Sequence, residues 1–217
     1  MKTIKYSTFL LTVLIAVSSL FTACKKDDNV LSKATFLPDV QIVGDAITVI
    51  LKDSAYIEKG AVATENNVPI EYTISGSVDN TTPGVYILNY LGVNADGFSA
   101  SDSRTVIVLP EAFIPGSAEI SGNYKLASNS RPSTVTKVVD GVYTMSDGWG
   151  TATSSGNPSP IFCYLFCTDG VNITMPNYPT VFGGMEGTGT YDGTKMVITT
   201  TLVDQGPLTR VRTWNKQ

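Results

Sequence analysis

Short runs of alternating apolar and polar residues, interrupted by Gly, Pro, Asn and Asp, recur from residue 38 onward. In the run 85–90, for example, Tyr86, Leu88 and Tyr90 fall on one face of an extended strand. No long stretch has the 3.6-residue apolar period of an amphipathic helix. The pattern therefore predicts an all-β protein.

The first group of predicted strands lies within residues 38–110. Its turn signals include Pro83-Gly84 and Asp96-Gly97, and its spacing of about seven short strands is typical of a small β-sandwich. The clearest predicted strands are 40–43, 47–51, 56–63, 70–76, 85–90 and 103–109.

A series of motifs in this first group occurs in a recognisable order. They are Gly44-Asp45, Tyr56, 58–61, Gly76, 83–86, Tyr90, Asp96-Gly97 and 104–106. In that order they resemble the bacterial immunoglobulin-like repeat of surface proteins. The resemblance implies a sandwich that serves as a spacer or a protein-contact module, in which the tyrosines and glycines pack the core and form turns.

A second β domain is predicted for residues 121–217, after a connector at 111–120. Consecutive strands joined by tight hairpins favour an antiparallel meander, either closed as a barrel or folded as an open sandwich. The strongest hairpin signals are Asp140-Gly141, Asp169-Gly170 and Asp192-Gly193.

Two further resemblances concern this second domain. The segments 122–124 and 212–214 are similar to the ends of lipocalin-like barrels. The segment 140–149, taken whole, resembles a C-terminal domain of uncharacterised lipoproteins that carry the same Ig-like domain in front and are associated with glycan-utilisation loci of Bacteroidetes. This resemblance implies an architecture and a glycan-related setting, with no established activity.

The N-terminus has the layout of a secretory signal. Lys2 and Lys5 precede an apolar run at 9–21, which is short for a membrane span. The run ends in 20–24, Leu-Phe-Thr-Ala-Cys, which resembles the bacterial lipobox. The resemblance implies removal of the signal peptide 1–23 and acylation of Cys24, with residues 24–37 as the lipidated tether.

The charged residues after that cysteine bear on localisation. Lys26, Asp27 and Asp28 resemble the surface-export signal of Bacteroidetes-type lipoproteins. The resemblance implies an outer-membrane lipoprotein exposed at the cell surface, and a solvated linker is the alternative interpretation.

The net charge and the absence of histidine exclude several classes of function. The net charge of −4 argues against a nucleic-acid partner. The chain contains no histidine, which removes Ser-His-Asp and Cys-His catalysis together with the commonest zinc ligand. We therefore expect no cofactor, no metal and no catalytic role.

Aromatic residues in the second domain suggest a sugar site. Trp149 lies in a glycine-flanked loop beside Asp147, and Tyr143 and Tyr178 are the aromatic residues that would extend the site. An exposed tryptophan next to hydrogen-bonding groups suits stacking on a sugar ring. The alternative is that Trp149 caps one end of the core.

The run 161–167 is apolar on both faces, which is typical of a strand covered on both sides or of a membrane-facing edge. Cys163 and Cys167 fall on the same face of this strand, about 13 Å apart. That distance is beyond disulfide reach, so we expect two buried free thiols.

The sequence leaves three functions open. The first is a lipid-anchored protein that binds glycan as an accessory of polysaccharide uptake. The second is an interaction module that docks on an outer-membrane protein. The third is a lipocalin-like carrier of a small apolar ligand, which requires a cavity inside the barrel.

Overall fold

The computed structural model describes residues 34–150, 160–206 and 208–217, and within these ranges it contains fifteen strands and no helix. The described part of the chain thus has no helix long and apolar enough to span a membrane. The residues from Leu37 to Gln217 form one compact unit. The all-β prediction is confirmed, and the strands are β1 Pro38–Ile42, β2 Ile47–Leu51, β3 Ala61–Glu65, β4 Val68–Pro69, β5 Tyr72–Ser75, β6 Gly84–Val93, β7 Ser99–Leu109, β8 Gly122–Leu126, β9 Pro132–Val139, β10 Val142–Met145, β11 Cys163–Phe166, β12 Asn172–Thr180, β13 Gly183–Tyr191, β14 Lys195–Leu202 and β15 Leu208–Lys216.

Strands β1–β7 form two sheets, in the orders β1-β3-β4 and β2-β7-β6-β5. The pair β2–β7 is parallel and the other pairs in these sheets are antiparallel. Alternation directs one side of each strand into a shared core. The buried members of that core are Val40, Ala63, Leu88, Tyr90 and Val106.

A buried arginine ties the loops of this sandwich together. Arg104 on β7 is 1% exposed and pairs with Glu58 at 3.1 Å. Its guanidinium also donates to the carbonyl oxygens of Asp45 (2.6 Å) and Val43 (2.8 Å). Arg104, Glu58 and Asp45, which belong to three of the recognised motifs, therefore lie together. The buried positive charge has an ion-pair partner and carbonyl acceptors, which a charge needs when it is removed from water.

Strands β8–β15 form a closed eight-stranded barrel in which neighbours in sequence are neighbours in space and the last strand, β15, pairs with the first, β8, to close the ring. All neighbouring pairs are antiparallel. Of the two architectures that the sequence left open, the structure has the barrel. Its interior is filled by large side chains, including Trp214, Tyr124 and Tyr143.

The strand connections alternate between the two ends of the barrel, as they must in an up-and-down meander. The three Asp-Gly hairpins all lie at one end, between β9 and β10, β11 and β12, and β13 and β14. The described residues of the other connections, 127–131, 146–150, 160–162, 181–182 and 203–206, lie at the other end, which we call the loop end.

The sandwich packs against the outside of the barrel near the Asp-Gly end. Ile107 and Leu109 of β7 form one buried cluster with Val142 of β10 and Phe166 of β11. The inner face of β11 carries Cys163 and Leu165, which are fully buried in the barrel core. The apolar residues on both faces of β11 therefore reflect two contacts, with the barrel core on one side and the sandwich on the other.

Candidate functional site

The first part of the connection between β10 and β11 enters the loop end of the barrel. Asp147, which is 1% exposed, anchors it by accepting hydrogen bonds from the backbone N–H groups of Trp149 (3.2 Å), Gly150 (2.9 Å) and Ile161 (3.2 Å). Arg131 donates to the other carboxylate oxygen. With its oxygens engaged in this way, Asp147 organises the loop rather than facing a ligand.

Three of the four predicted glycan-binding residues are buried. Trp149 is 6% exposed, and the guanidinium of Arg212 lies 4.8 Å from its ring centroid. Tyr143 is 1% exposed on the inner face of β10, where burial and then Glu119 raise its pKa to about 12. Trp149, Asp147 and Tyr143 therefore offer no exposed platform. Because the loop folds into the barrel, Trp149 packs at the loop end of the core, which is the alternative interpretation of this residue.

Tyr178, the fourth predicted residue, belongs to an aromatic cluster on the outer wall at the loop end. Its ring centroid lies 5.8 Å from that of Phe162 and 5.3 Å from that of Tyr164. Phe162 and Tyr164 meet edge to face at 5.3 Å, with an interplanar angle of 88°. We call Phe162, Tyr164 and Tyr178 the aromatic cluster.

The sequence contained a signal for this cluster. Phe162 and Tyr164 are two positions apart in an extended run, so both point to the outer face while Cys163 and Leu165 point inward. The Asp169-Gly170 hairpin predicts that β11 pairs with β12, but the sequence did not show that β12 continues to Thr180, which brings Tyr178 beside them.

A surface cleft of about 400 Å³ borders the aromatic cluster. Phe162 is 41% exposed, and Tyr164 and Tyr178 are partly exposed. Burial, together with Tyr178, raises the pKa of Tyr164 above its ordinary value. The cleft is lined by Pro160, Ile161, Phe162, Tyr178, Pro179, Thr180 and Val181.

A second groove, of about 430 Å³, lies where Pro83 of the sandwich approaches the barrel wall. Its lining includes Asn177 and Glu186, whose side chains hydrogen-bond at 3.3 Å, and several threonines. No aromatic residue is among the lining residues described for this groove. The cleft beside the aromatic cluster therefore offers the better stacking surface.

The remaining candidate residues fall into two groups. Cys24, Lys26, Asp27 and Asp28 lie outside the described residues, so their lipidation and export roles stay predictions. Cys163 and Cys167 are both buried and free, as expected. Among the described residues, no group of three acidic or cysteine side chains is placed to hold a metal ion.

Comparison with known proteins adds a family model and a solved structure. Residues 40–108 match the model described as bacterial surface protein, Ig-like domain. No curated protein matches the chain. Among solved structures, the chain is similar to the crystal structure of the lipoprotein BT2262 from Bacteroides thetaiotaomicron, with 26% identity, coverage of 83% of this chain and 100% of that chain, and a TM-score of 0.39. The predicted Ig-like domain of the bacterial-surface type, followed by a C-terminal β domain, is thus confirmed.

Proposed function

We propose that this chain is a lipid-anchored protein of the bacterial outer membrane, exposed at the cell surface, which binds glycan without catalysis. The observation that carries the proposal is the aromatic cluster beside an open cleft at the loop end of the barrel. The match of residues 40–108 to a bacterial surface domain supports the location.

The chemistry of the aromatic cluster suits a sugar ring. Pyranose rings present C–H groups on one face, which pack against the electron-rich face of an aromatic ring, while their hydroxyls need hydrogen-bond partners at the edge. Phe162 supplies an exposed ring, and the tyrosines supply hydroxyls beside it. Because the three rings contact one another, each is held in place before the ligand arrives, which limits the entropy lost on binding.

The position of the aromatic cluster also suits an anchored receptor. The sandwich contacts the barrel through Val142 and Phe166, which lie toward the Asp-Gly end. Tyr164 of the aromatic cluster packs against this contact, whereas the exposed ring of Phe162 and the cleft beside it lie nearer the opposite, loop end. With Cys24 acylated ahead of the sandwich, the sandwich would act as a stalk and the loop end would face away from it.

The proposed setting is an accessory role beside an outer-membrane uptake complex for polysaccharide.

Metabolic labelling with an alkyne fatty acid tests the anchor, and Cys24→Ser should abolish the label. Protease treatment of intact cells tests surface exposure, and we expect cleavage without lysis. Labelling that persists in Cys24→Ser, or complete protection in intact cells, would contradict this part of the proposal.

A glycan-array screen tests the binding function. The chain from Lys25 onward keeps the compact unit Leu37–Gln217 whole. We expect binding to a defined set of glycans, lost in Tyr178→Ala and retained in Val171→Ala. Val171 is a suitable control because it is 51% exposed and lies at the Asp-Gly end, away from the cleft. An array without any bound glycan would overturn the proposal.

One observation favours docking on a protein partner as a second candidate function. Val181 is 86% exposed and Phe182 41% exposed at the tip of the β12–β13 hairpin, next to the cleft. Exposed apolar side chains of this kind mark protein contacts as well as ligand sites. Pull-down from solubilised outer membranes, compared between the wild type and Phe182→Asp, separates the two functions. Phe182 does not line the cleft, so docking should be lost in the variant and glycan binding should not.

A further inference from the structure

Strand β2 forms an open edge of the sandwich. It is the first strand in the sheet order β2-β7-β6-β5, and β7 is its only strand partner among the described residues. The N–H of Lys52, directly after β2, donates to the carbonyl oxygen of Leu109 at the end of β7 (2.8 Å). Because the backbone groups of successive strand residues point to opposite sides, the even-numbered residues of β2 face β7. The residues whose N–H and C=O groups point to the open edge are therefore Ile47, Val49 and Leu51.

Most of these edge groups have no hydrogen-bond partner in the described part of the chain. The exception is the carbonyl oxygen of Leu51, which accepts a hydrogen bond from the N–H of Ser54 at 3.0 Å. A carbonyl oxygen has two lone pairs, so this one can accept a second bond. The edge therefore presents a row of donors and acceptors with which a further strand can pair.

The side chains of β2 do nothing to prevent such pairing. Proteins protect edge strands with charge, with proline or with short length. The other described edges of the sandwich have these features: β1 contains Pro38 and Asp39, β4 has two residues of which one is Pro69, and β5 has four residues. Strand β2 reads Ile-Thr-Val-Ile-Leu, without charge or proline, and it pairs with β7 without a register shift.

The exposed face of β2 continues the contact between the sandwich and the barrel. In the register with β7, Val49 lies beside Ile107 and Leu51 beside Leu109, and both β7 residues are buried in that contact. On β2 the same face is left open, since Ile47, Val49 and Leu51 are 40%, 39% and 41% exposed. An apolar surface that is already an interface thus extends to the edge of the sheet.

Strand β2 is complementary to a second copy of itself. A two-fold axis through Val49 pairs the two strands antiparallel, with Val49 opposite Val49 and Ile47 opposite Leu51. Every opposed pair is then apolar, and the edge N–H and C=O groups of the two copies exchange hydrogen bonds. The flanking charges also agree, because this arrangement brings Lys52 of each copy to the end at which Asp45 of the other lies.

We propose that the chain forms a symmetric dimer through β2, in which the two four-stranded sheets join into one sheet of eight strands. The occupant of the edge is a second copy because the strand matches itself in backbone groups, apolar side chains and flanking charge. The dimer does not depend on the proposed glycan site, since the residues that line that cleft belong to the barrel.

Sedimentation velocity of the chain from Lys25 onward tests the dimer. We expect the dimer fraction to rise with protein concentration up to about 1 mM, a range that includes weak contacts. Val49→Lys should weaken association at least tenfold, because the axis places two lysines opposite each other. Val93→Lys is the matched control and should dimerise like the wild type, since Val93 is 50% exposed on β6 of the same sheet. Thermal unfolding establishes that both variants are folded.

Cysteine variants test the register. The Cα atoms of a hydrogen-bonded antiparallel pair lie about 5.5 Å apart, which is within disulfide range. Val49→Cys should therefore form an intermolecular disulfide under mild oxidation. Leu51→Cys should not, because its counterpart lies about 13 Å along the strand from the residue that it faces. A mixture of Leu51→Cys and Ile47→Cys should crosslink, and the native Cys163 and Cys167 are buried and should not interfere.

Three results would overturn the proposal. The first is a monomer at every concentration, which would leave the edge of β2 to a different protein. The second is undiminished association of a folded Val49→Lys. The third is crosslinking of Leu51→Cys with itself as readily as of Val49→Cys, which would place the contact between copies in another register.

Discussion

Single residues hold the loop inside the barrel, and Gly150 is constrained both by its backbone conformation and by its neighbours. Its φ is +65°, and a Cβ built there would lie 2.6 Å from Cδ2 of Leu126 and 3.0 Å from the ring of Trp214. Glycine is needed at this position both for the left-handed backbone and for the close approach of the loop to the core.

We expect Gly150→Ala to destabilise the protein by about 2–4 kcal/mol, the sum of a left-handed backbone cost and overpacking. Urea unfolding measures the loss. Gly206→Ala is the matched control, because Gly206 has the same φ of +65° and a Cβ added there would meet nothing within 4 Å. A loss no larger at Gly150 than at Gly206 would show that the loop is not packed against Leu126 and Trp214.

Glu58 makes the sandwich sensitive to acid. Burial raises its pKa, but hydrogen bonds from Tyr56 and from the N–H of Gly60, together with Arg104, outweigh burial and lower the pKa to about 2. The ordinary value of 4.5 applies in the unfolded chain. Between pH 4.5 and 2 the unfolded state therefore binds more protons, so the stabilisation present above pH 4.5 is lost as the pH falls.

We expect the melting temperature of the wild type to fall between pH 5 and pH 2 and this fall to be smaller in Glu58→Gln, which is already less stable at pH 7. Differential scanning calorimetry across this range measures both effects. Glu71→Gln, at an exposed position, is the control and should follow the wild type. Parallel pH curves for the wild type and Glu58→Gln would contradict the assignment of the acid sensitivity to Glu58.

At the scale of a strand, β11 shows how far the alternating pattern can be followed. The sequence left the two apolar faces either covered on both sides or facing a membrane, and it indicated that Cys163 and Cys167 are free, as they are in the structure. The barrel core covers the inner face and the sandwich covers Phe166 on the outer face, while Phe162 stays 41% exposed. Trp149 could not be placed in the same way, since residues 146–150 have no period, and their burial depends on the barrel closing around them. Local pattern predicts strand faces, whereas it does not predict where a connection enters a core.

The thiols of Cys163, in β11, and of Cys167, directly after it, should be inert in the folded protein. Burial raises the pKa of Cys167 to about 11 and that of Cys163 further still. Because the thiolate is the reactive form, we expect no measurable reaction of either with Ellman's reagent at pH 8 until the protein is unfolded. The chain from Lys25 lacks Cys24, so two thiols remain. In guanidinium both should react, and each protein molecule should then release two equivalents of thionitrobenzoate from the reagent. Rapid labelling of the folded protein would contradict the burial of β11.

At the scale of the whole molecule, the buried contact between the sandwich and the barrel joins the two domains into one compact unit. The sequence predicted each fold from its own strands, but the faces that join them were not predictable, because Ile107, Val142 and Phe166 look like ordinary strand residues. Which outward residues are covered is decided by the tertiary arrangement and not by the alternation.

We expect Phe166→Ala to reduce the free energy of unfolding by about 3–5 kcal/mol, because it removes a large side chain from the contact between the two folds. Phe98→Ala is the matched control, since Phe98 is 46% exposed on the sandwich, and it should cost under about 1 kcal/mol. Chemical unfolding of both variants measures the difference. Equal losses for the two would show that the contact contributes little.

The central claim is that the aromatic cluster binds glycan, and calorimetric titration tests it most directly. The ligand is the strongest glycan from the array, and the proteins are the wild type, Phe162→Ala, Tyr178→Ala and the control Val171→Ala. We expect the first two variants to bind at least tenfold more weakly, a loss of about 1.4 kcal/mol or more, and the control to match the wild type. Unchanged affinity in both cluster variants would contradict the claim and place any glycan site elsewhere on the molecule.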